Sequence, residues 1–334
     1  IRASDWSSDV CSSDLEDIGI LDVHQMFGRA GRPQFDTDGH AILISSNSVL
    51  QRYTSTLVNA EPIDSKFNKR MEDFLNAEIS LGTVTCKKDA MDWLRYTFLY
   101  QRHPDDNYHS QSLDFAIDEL TQNLMIRSSF VSESLSPTNL GQVSSTHYIP
   151  FTSVCYFNEK LRGDMTEAEL IDCIFSSGIF QSLLVRNSEL NELDSYRTLI
   201  PLLTPPDELA GKVNILFQSY VSRYHFKTPS LTLDQMWISD NMQRIFDGIF
   251  ELTIEQGWCY LAMFSLDLCK MVEQQMWWCD EKKEHPLKQI LKEYKYNQLF
   301  KKLERLDITI DEIKESSFED LKNRLGSEQN TKAI

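Results

Sequence analysis

The chain has 334 residues, of which 41% are hydrophobic and 25% are charged, so it can bury the cores of two or three compact domains. Its formal net charge of −17 counts against a strong grip on nucleic acid by this chain alone, because phosphate contacts leave a basic footprint. No apolar run is long enough to span a bilayer and no secretory leader is recognisable, so we expect an intracellular protein without a membrane partner. Seven scattered cysteines without a C-x-x-C pair favour a reducing compartment and disfavour a metal site.

The first fourteen residues fit nothing that follows them. The string I-R-A-S-D-W-S-S-D-V-C-S-S-D contains a near-repeat and lacks a periodic apolar face. It resembles translated sequencing-adaptor read-through, so we predict that residues 1–14 are a non-native segment outside the fold.

Two arginines, Arg29 and Arg32, then lie three residues apart among glycines. Apolar residues at helical spacing before Gly28 predict a short helix that ends at this glycine. Residues 41–44 predict a short buried strand, and the residues after Asn47 predict a second helix. Because a guanidinium is always charged and its planar fork matches phosphate oxygens, this loop predicts a phosphate clamp. The alternative is a solvated basic turn, since short motifs have a high false-positive rate.

The full string from Gln25 to Asp36, Q-M-F-G-R-A-G-R-P-Q-F-D, resembles the last helicase motif of superfamily-two nucleic-acid helicases, in their superkiller-like branch. The likeness to the tandem-cassette group of this branch extends to about Leu325, through the stretches Pro62 to Phe67, Leu75 to Ile79, Leu81 to Val84, Trp93-Leu94, Tyr96-Thr97, Asn139 to Gly141 and His147 to Ile149. The resemblance implies an ATP-dependent helicase that moves 3'-to-5' along single-stranded RNA or DNA, with RNA favoured. It also implies ATP and Mg²⁺ as cofactors, subunits of a larger ribonucleoprotein or cointegrator complex as partners, and a nuclear or cytoplasmic location.

By the same resemblance, Gln25, Gly28, Arg29 and Arg32 face ATP, and the two arginines are the catalytic residues at the γ-phosphate. The 334 residues contain no G-x-x-x-x-G-K-[ST] phosphate loop, so the chain is expected to be inactive alone, with ATP and Mg²⁺ bound mainly by a first RecA-like lobe.

The predicted fold class is mainly α, in five successive parts. Residues 15–59 form the end of a RecA-like α/β lobe, 60–150 a winged helix, 151–284 a helical ratchet bundle of the Sec-homology region, 285–325 a helix-hairpin-helix, and 326–334 a disordered tail. Within the winged helix, Thr85 is predicted to cap a helix that buries a stripe from Ala90 to Phe98. Residues 124–135 predict a β-hairpin wing, and Ser136-Pro137 predicts the opening of the next helix.

The bundle is predicted to be helical and broken at Pro201, Pro205-Pro206 and Pro229, with one long helix from about Leu233 to Glu255. Its apolar face contains Ile238, Met242, Ile245, Phe246, Ile249 and Leu252; its opposite, solvated face contains Trp237, Asp240, Arg244, Gly248 and Glu251. The family resemblance identifies this helix as the ratchet helix, with Trp237 and Arg244 as nucleic-acid-binding residues. Asp247 stands where the family has a basic residue, so no contact with phosphate is expected there. The alternative is an ordinary amphipathic bundle helix.

Near the end of the bundle, Met276-Trp277-Trp278 is predicted to belong to the core. Two amphipathic helices, about Leu287 to Leu306 and Ile310 to Leu325, are predicted to meet around Asp307. A second functional hypothesis stays open: a non-catalytic helical scaffold for protein–protein interaction, which the acidic net charge favours.

Overall fold

The computed structural model describes residues 20–31, 38–58, 65–129, 134–279, 282–283, 287, 297–326 and 332. The predicted segment 1–14 and most of the predicted tail lie outside these residues. The protein is mainly α-helical, as predicted, and its contacts divide it into two compact units. The first unit contains residues 1–69 and 98–104, and the second contains the rest. Within the part of the chain that is described, no helix is long and apolar enough to cross a membrane.

The described residues of the first unit form three α-helices: α1 at Ile20–Phe27, α2 at Asn47–Val58 and the short α5 at Phe98–Arg102. Val23 of α1 and Tyr53 of α2 are buried, as their helical spacing predicts. The two predicted helices around the arginine loop are therefore confirmed.

The predicted strand over residues 41–44 is wrong. The segment has no regular secondary structure, and Ile42 and Ile44 are 84% and 92% exposed. A strand needs a neighbouring strand for its backbone hydrogen bonds, and the described residues of this unit contain none. The apolar run therefore reflects β propensity without a sheet to satisfy it.

The second unit begins with a winged-helix arrangement. A 3₁₀ turn at Phe67–Arg70 leads into α3 at Met71–Leu81, which is followed by α4 at Lys87–Arg95 and α6 at Asp106–Gln122. The hairpin of β1 at Ile126–Ser129 and β2 at Ser134–Pro137 is antiparallel, with Ile126 opposite Pro137 and Ser129 opposite Ser134. This confirms the predicted hairpin. An isolated antiparallel β-bridge also pairs Cys86 with Ser134 of β2.

Two local predictions in this region are wrong by one or two residues. Cys86, not Thr85, is the N-cap of α4, and the Thr85 hydroxyl instead donates to the Asp89 carboxylate at 2.7 Å. Pro137 ends β2 rather than opening a helix, because Thr138 caps the next helix through the backbone N–H of Gly141. Since α4 ends at Arg95, the predicted apolar stripe stops there and Phe98 is exposed.

The hairpin is followed by α7 at Asn139–Thr146, which packs on α3. The helices of the bundle then are α8 at Phe151–Lys160, α9 at Glu167–Ser176, α10 at Leu190–Ser195, α11 at Leu209–Val221, α12 at Pro229–Glu255 and α13 at Cys259–Gln274. The three proline sites lie outside or at the first turn of helices, as predicted. The long helix α12 begins four residues before its predicted start, because proline is well accommodated at the first helical position.

The core of the bundle lies between α11, α12 and α13. All six residues of the predicted apolar face of α12 are at most 4% exposed. Met276 and Trp277 are also buried, as predicted, and the Trp277 indole N–H donates to the Ser222 hydroxyl at 2.9 Å.

The described C-terminal residues contain a short hairpin, β3 at Trp278–Cys279 with β4 at Lys282–Lys283, and three helices. These are α14 at Asn297–Arg305, α15 at Ile310–Glu315 and α16 at Phe318–Leu325. Asp307, with φ at 50°, forms the predicted junction. The predicted single helix from Ile310 is instead two, because Ser317 caps α16 through the backbone N–H of Asp320.

Candidate nucleotide and nucleic-acid sites

The arginine loop leaves α1 through a series of tight turns. The backbone N–H of Gly28 donates to the His24 carbonyl at 2.8 Å, and that of Arg29 donates to the Met26 carbonyl at 3.2 Å. Gln25, Gly28 and Arg29 are all exposed at this end of the helix. Arg32, the second predicted catalytic arginine, lies outside the described residues.

The two ends of this loop are held close together. A Cβ added to Gly39 would lie 1.8 Å from the Ala30 carbonyl oxygen, so only glycine permits the contact. Gly31 has φ at +100°, a conformation that side chains other than hydrogen disfavour. The described residues on the two sides of positions 32–37 are therefore close to each other, and Arg29 lies on the N-terminal side.

Trp237 lies on α12, near its N-terminal end, and is 38% exposed. Its ring makes an edge-to-face contact with the buried Phe180, with centroids 6.0 Å apart. An edge-to-face contact orients an aromatic ring and leaves part of it open to another planar group. A partly exposed aromatic ring is the kind of surface on which a nucleic-acid base stacks.

Arg244 is held by protein acceptors. One terminal nitrogen, Nη1, donates to the carbonyl oxygens of His147 at 3.1 Å and Tyr148 at 2.6 Å. Nη2 donates to the Asn241 side-chain oxygen at 2.8 Å, and Nε to the same oxygen at 3.3 Å. Burial lowers the pKa of Arg244 from its ordinary value. The side chain therefore links α12 to the turn at 147–149 and keeps one N–H of Nη2 beyond these contacts.

The face of α12 predicted to be solvated is partly covered by this turn. Gly248 is buried, and a Cβ there would lie 2.6 Å from Ile149 Cδ1. One turn further, Glu251 pairs with His147 Nε2 at 2.8 Å. The alternative of an ordinary amphipathic helix is the interpretation that expects Gly248 in solvent, and it is wrong at this residue, because hydropathy gives no sign of a glycine that admits a neighbouring side chain.

Asp247 lies between α12 and α13. Its carboxylate accepts from the Gln243 amide at 3.0 Å and contacts the Cys269 thiol on α13. Burial, followed by this carboxylate, raises the pKa of Cys269. The acidic residue is thus explained by a contact within the α12–α13 pair.

The sequence analysis did not predict three of these contacts: the edge-to-face contact of Phe180 with Trp237, and the bonds from Arg244 to two backbone carbonyls. Backbone acceptors leave no trace in residue identity, although His147-Tyr148-Ile149 is one of the stretches that resembles the helicase family. Among the described residues, no group of His, Cys, Asp and Glu side chains is arranged to hold a metal ion.

Two protein families match this chain. The Sec63 Brl domain family matches residues 137–331, more than half of the chain, and the winged helix-turn-helix domain of the SNRNP200 type matches residues 64–123. The first range covers α7 to α16 and the second covers α3 to α6, so the β1–β2 hairpin lies between them.

Individual proteins are similar over most of the chain. The DExH-box ATP-dependent RNA helicase DExH14 of Arabidopsis thaliana is 37% identical over 313 residues, 87% of this chain and 14% of its own length. The pre-mRNA-splicing factor brr2 of Schizosaccharomyces pombe is 38% identical over 275 residues, 77% of this chain and 13% of its own. The activating signal cointegrator 1 complex subunit 3 of Dictyostelium discoideum is 36% identical over 285 residues, 78% and 13% respectively.

The chain thus spans about one seventh of the length of these relatives. On the family matches and these similarities, the chain belongs to the Sec63 Brl domain family, within the tandem-cassette group of superkiller-like helicases.

Proposed function

We propose that this chain is the rear part of an ATP-dependent helicase cassette that moves 3'-to-5' along a single strand and unwinds it. The observation that carries the proposal is the 37% identity to a DExH-box ATP-dependent RNA helicase over 87% of the chain. RNA is the favoured strand, because the names of the relatives include an RNA helicase and a pre-mRNA-splicing factor. Its partners are subunits of a spliceosomal or cointegrator-type complex, in the nucleus or cytoplasm.

The parts of the chain have separate roles in this proposal. Residues 15–59 end a RecA-like lobe, 60–150 form a winged helix that joins motor to bundle, 151–284 form the ratchet bundle and 285–325 the helix-hairpin-helix. Fold alone does not assign these roles, so each is tested through its residues.

In this proposal the arginine loop contacts the nucleotide. Exposed amide and guanidinium donors at Gln25 and Arg29 suit phosphate oxygens, and by the family resemblance Arg32 acts on the same phosphate. ATP, bound with Mg²⁺ mainly by a first lobe, supplies the γ-phosphoryl group whose transfer to water releases free energy. Arg29 and Arg32 neutralise the charge that develops there, and Gly28 provides the close backbone approach.

In this proposal the helix α12 contacts the nucleic acid. Trp237 stacks on a base through its open ring surface, and Arg244 reaches a phosphate through the N–H that the turn at 147–149 leaves available. Movement of the lobes then shifts the strand by moving α12.

The nucleotide role is tested in this chain fused to a first RecA-like lobe. We expect Arg29→Ala and Arg32→Ala each to reduce ATP turnover by about 10³-fold, the lower end of what an arginine at a γ-phosphate contributes, while RNA binding is retained. Arg162→Ala, which removes an exposed arginine of the bundle, is the matched control. Unchanged turnover in both loop variants would refute the catalytic assignment.

The nucleic-acid role is tested by fluorescence titration of labelled single-stranded RNA and DNA. Trp237→Ala should weaken binding by about 1–3 kcal/mol, the contribution of one base–aromatic stack. Met236→Ala, a neighbour that is 58% exposed, should leave affinity unchanged. Equal effects of the two substitutions would argue against stacking.

The alternative is a non-catalytic scaffold that docks other proteins. Two observations favour it: the net charge of −17, and the engagement of Arg244 by backbone carbonyls. A fusion protein that folds, yet hydrolyses no ATP with or without RNA, would support this alternative over the helicase.

A further inference from the structure

A buried cluster of four charged side chains lies at the start of α12. At its centre is Lys212 of α11, whose side chain is 0% exposed. Its three donors are all used: Nζ donates to the Leu184 carbonyl at 2.6 Å, to Glu189 Oε2 at 2.7 Å and to Asp234 Oδ2 at 2.6 Å. The lysine thus joins α11 to the loop before α10 and to the second turn of α12.

Arg186 completes the cluster. Its Nη1 donates to Glu189 Oε1 at 2.5 Å and to Asp234 Oδ2 at 3.1 Å. Two cations therefore face two carboxylates. Burial opposes the charged form of Glu189, but hydrogen bonds from Lys212, from Ser230 and from Arg186 outweigh it and hold the pKa of this carboxyl below its usual range.

A cluster of this kind contributes more to geometry than to stability. Removing charges from water costs about as much as their attraction returns, so apolar residues of similar volume can stabilise a core equally well. Charged hydrogen bonds are directional, however, and here they converge on fixed acceptor atoms.

The short helix α10, whose N-cap is Glu189, makes a second contact with α12. Glu192, one turn after Glu189, accepts from the backbone N–H groups of Lys227 at 2.6 Å and Thr228 at 3.0 Å, and from the Thr228 hydroxyl at 2.6 Å. Thr228 is the N-cap of α12 but caps no N–H with its own side chain. Glu192 therefore ties the N-terminal end of α12 to α10.

These contacts lie close to Trp237 along the chain and on the helix surface. Asp234 precedes Trp237 by three residues, so the two are neighbours on the helix surface. Residues 180–189 supply Phe180 beneath the tryptophan ring and also Leu184, Arg186 and Glu189 of the cluster. One segment thus seats the ring and anchors the helix that carries it.

We propose that Lys212, Glu189 and Asp234, with Arg186, are positioning residues that fix α12 against residues 180–189 and so hold the Trp237 ring in its stacking orientation. The proposal rests on the proposed role of Trp237 in strand binding. None of the four residues is proposed to touch the nucleic acid.

The test uses the full chain with 5-fluorotryptophan, where Trp237→Phe assigns the ¹⁹F resonance of Trp237. Asp234→Asn keeps the shape of the side chain and removes its charge. We expect its Trp237 resonance to shift or broaden in the absence of RNA, and its affinity for single-stranded RNA to fall at least 5-fold. Arg186→Gln, at a position 17% exposed and more tolerant of change, should give the same effects more weakly.

The control is Leu113→Ala, a fully buried core substitution in α6 of the winged helix. It lowers thermal stability without touching the cluster, so its Trp237 resonance and RNA affinity should match the unsubstituted chain. If folded Asp234→Asn and Arg186→Gln keep an unchanged Trp237 resonance, the positioning role is refuted. If Trp237→Ala binds RNA normally, the stacking role fails instead, and the resonance measured without RNA still decides whether the cluster positions the ring.

Discussion

Gly141 of α7 offers a sharp test of how the winged helix meets the bundle. A Cβ at this position would lie 2.1 Å from the Met125 carbonyl oxygen and 2.7 Å from the Asn76 side-chain oxygen. The obstructing Met125 atom belongs to the backbone just before β1 and cannot rotate away. Gly141→Ala must therefore push α7 away from this strand by on the order of 1 Å, since real contacts of this kind are longer than 3 Å.

The cost can be worked from the contacts that such a shift breaks. The Gly141 carbonyl accepts from the buried Asn76 amide at 2.9 Å and from the Ser80 hydroxyl at 3.3 Å. Overpacking costs about 1–3 kcal/mol, and leaving a buried polar group without its partner costs about 1–3 kcal/mol more. Alanine regains up to about 1 kcal/mol of helix propensity. With the full propensity gain subtracted, the free energy of unfolding should thus fall by about 1–5 kcal/mol.

Equilibrium urea denaturation followed by circular dichroism measures this loss. Gln142→Ala, the exposed neighbour on the same helix, changes propensity without a steric contact and should stay within about 0.5 kcal/mol of the unsubstituted chain. If Gly141→Ala proved as stable as this control, the close packing of α7 on β1 would be wrong, and with it the reason for a glycine at this position.

Three further outcomes follow from contacts described above. Arg244→Met should lower the free energy of unfolding by about 1–3 kcal/mol, because charged hydrogen bonds to two carbonyls are lost; Arg162→Met, measured in the same urea titration, should lower it far less, and equal losses would contradict the linking role. Burial raises the pKa of Cys155 and of Cys173 to about 11 from 9.0, so the folded chain keeps protons that the unfolded chain releases. Their contribution to stability is complete below pH 9.0 and is lost as the pH rises toward 11, so thermal melts of a Cys155→Ala, Cys173→Ala variant should show a shallower alkaline decline. Trp277→Phe removes a buried donor to a serine hydroxyl and should cost about 1–3 kcal/mol by calorimetry; an unchanged melting temperature would show that the hydrogen bond is replaced.

The helical periodicity of the sequence predicted much of this architecture. The apolar face of α12 was predicted residue by residue, because a buried stripe at 3.6-residue spacing is the strongest local signal that a sequence carries. The hairpin at β1 and β2 was predicted from a different signal, namely two apolar segments separated by polar residues.

The errors share a physical origin in tertiary contact. Ile42 and Ile44 have strand propensity but meet no second strand in the described part of their unit. Gly248 carries no hydropathy signal, yet it admits Ile149 to the helix surface. Pro137 was interpreted as the opening of a helix but ends β2, because Thr138 provides the N-cap of α7; the break predicted at Pro229 coincides with the start of α12.

For the candidate sites, the family resemblance named Trp237 and Arg244 but not their surroundings. Phe180 lies 57 positions earlier in the chain and no local spacing connects it to Trp237. The buried partners of Lys212 were equally hidden, because a lysine in a helix is ordinarily solvated. Arg32, central to the proposed chemistry, stays a prediction outside the described residues.

The grip of Arg244 on two backbone carbonyls has a consequence for how the turn at 147–149 can vary. Carbonyl oxygens are the same whatever side chain is attached, and the Tyr148 side chain is 79% exposed. Random mutagenesis of this turn should therefore recover many amino acids at position 148, especially those that accept its left-handed backbone, with φ at 52°. An inserted or deleted residue would instead move both acceptors out of reach. Surface turns commonly accept changes of length. This turn is instead expected to tolerate substitutions but not insertions or deletions.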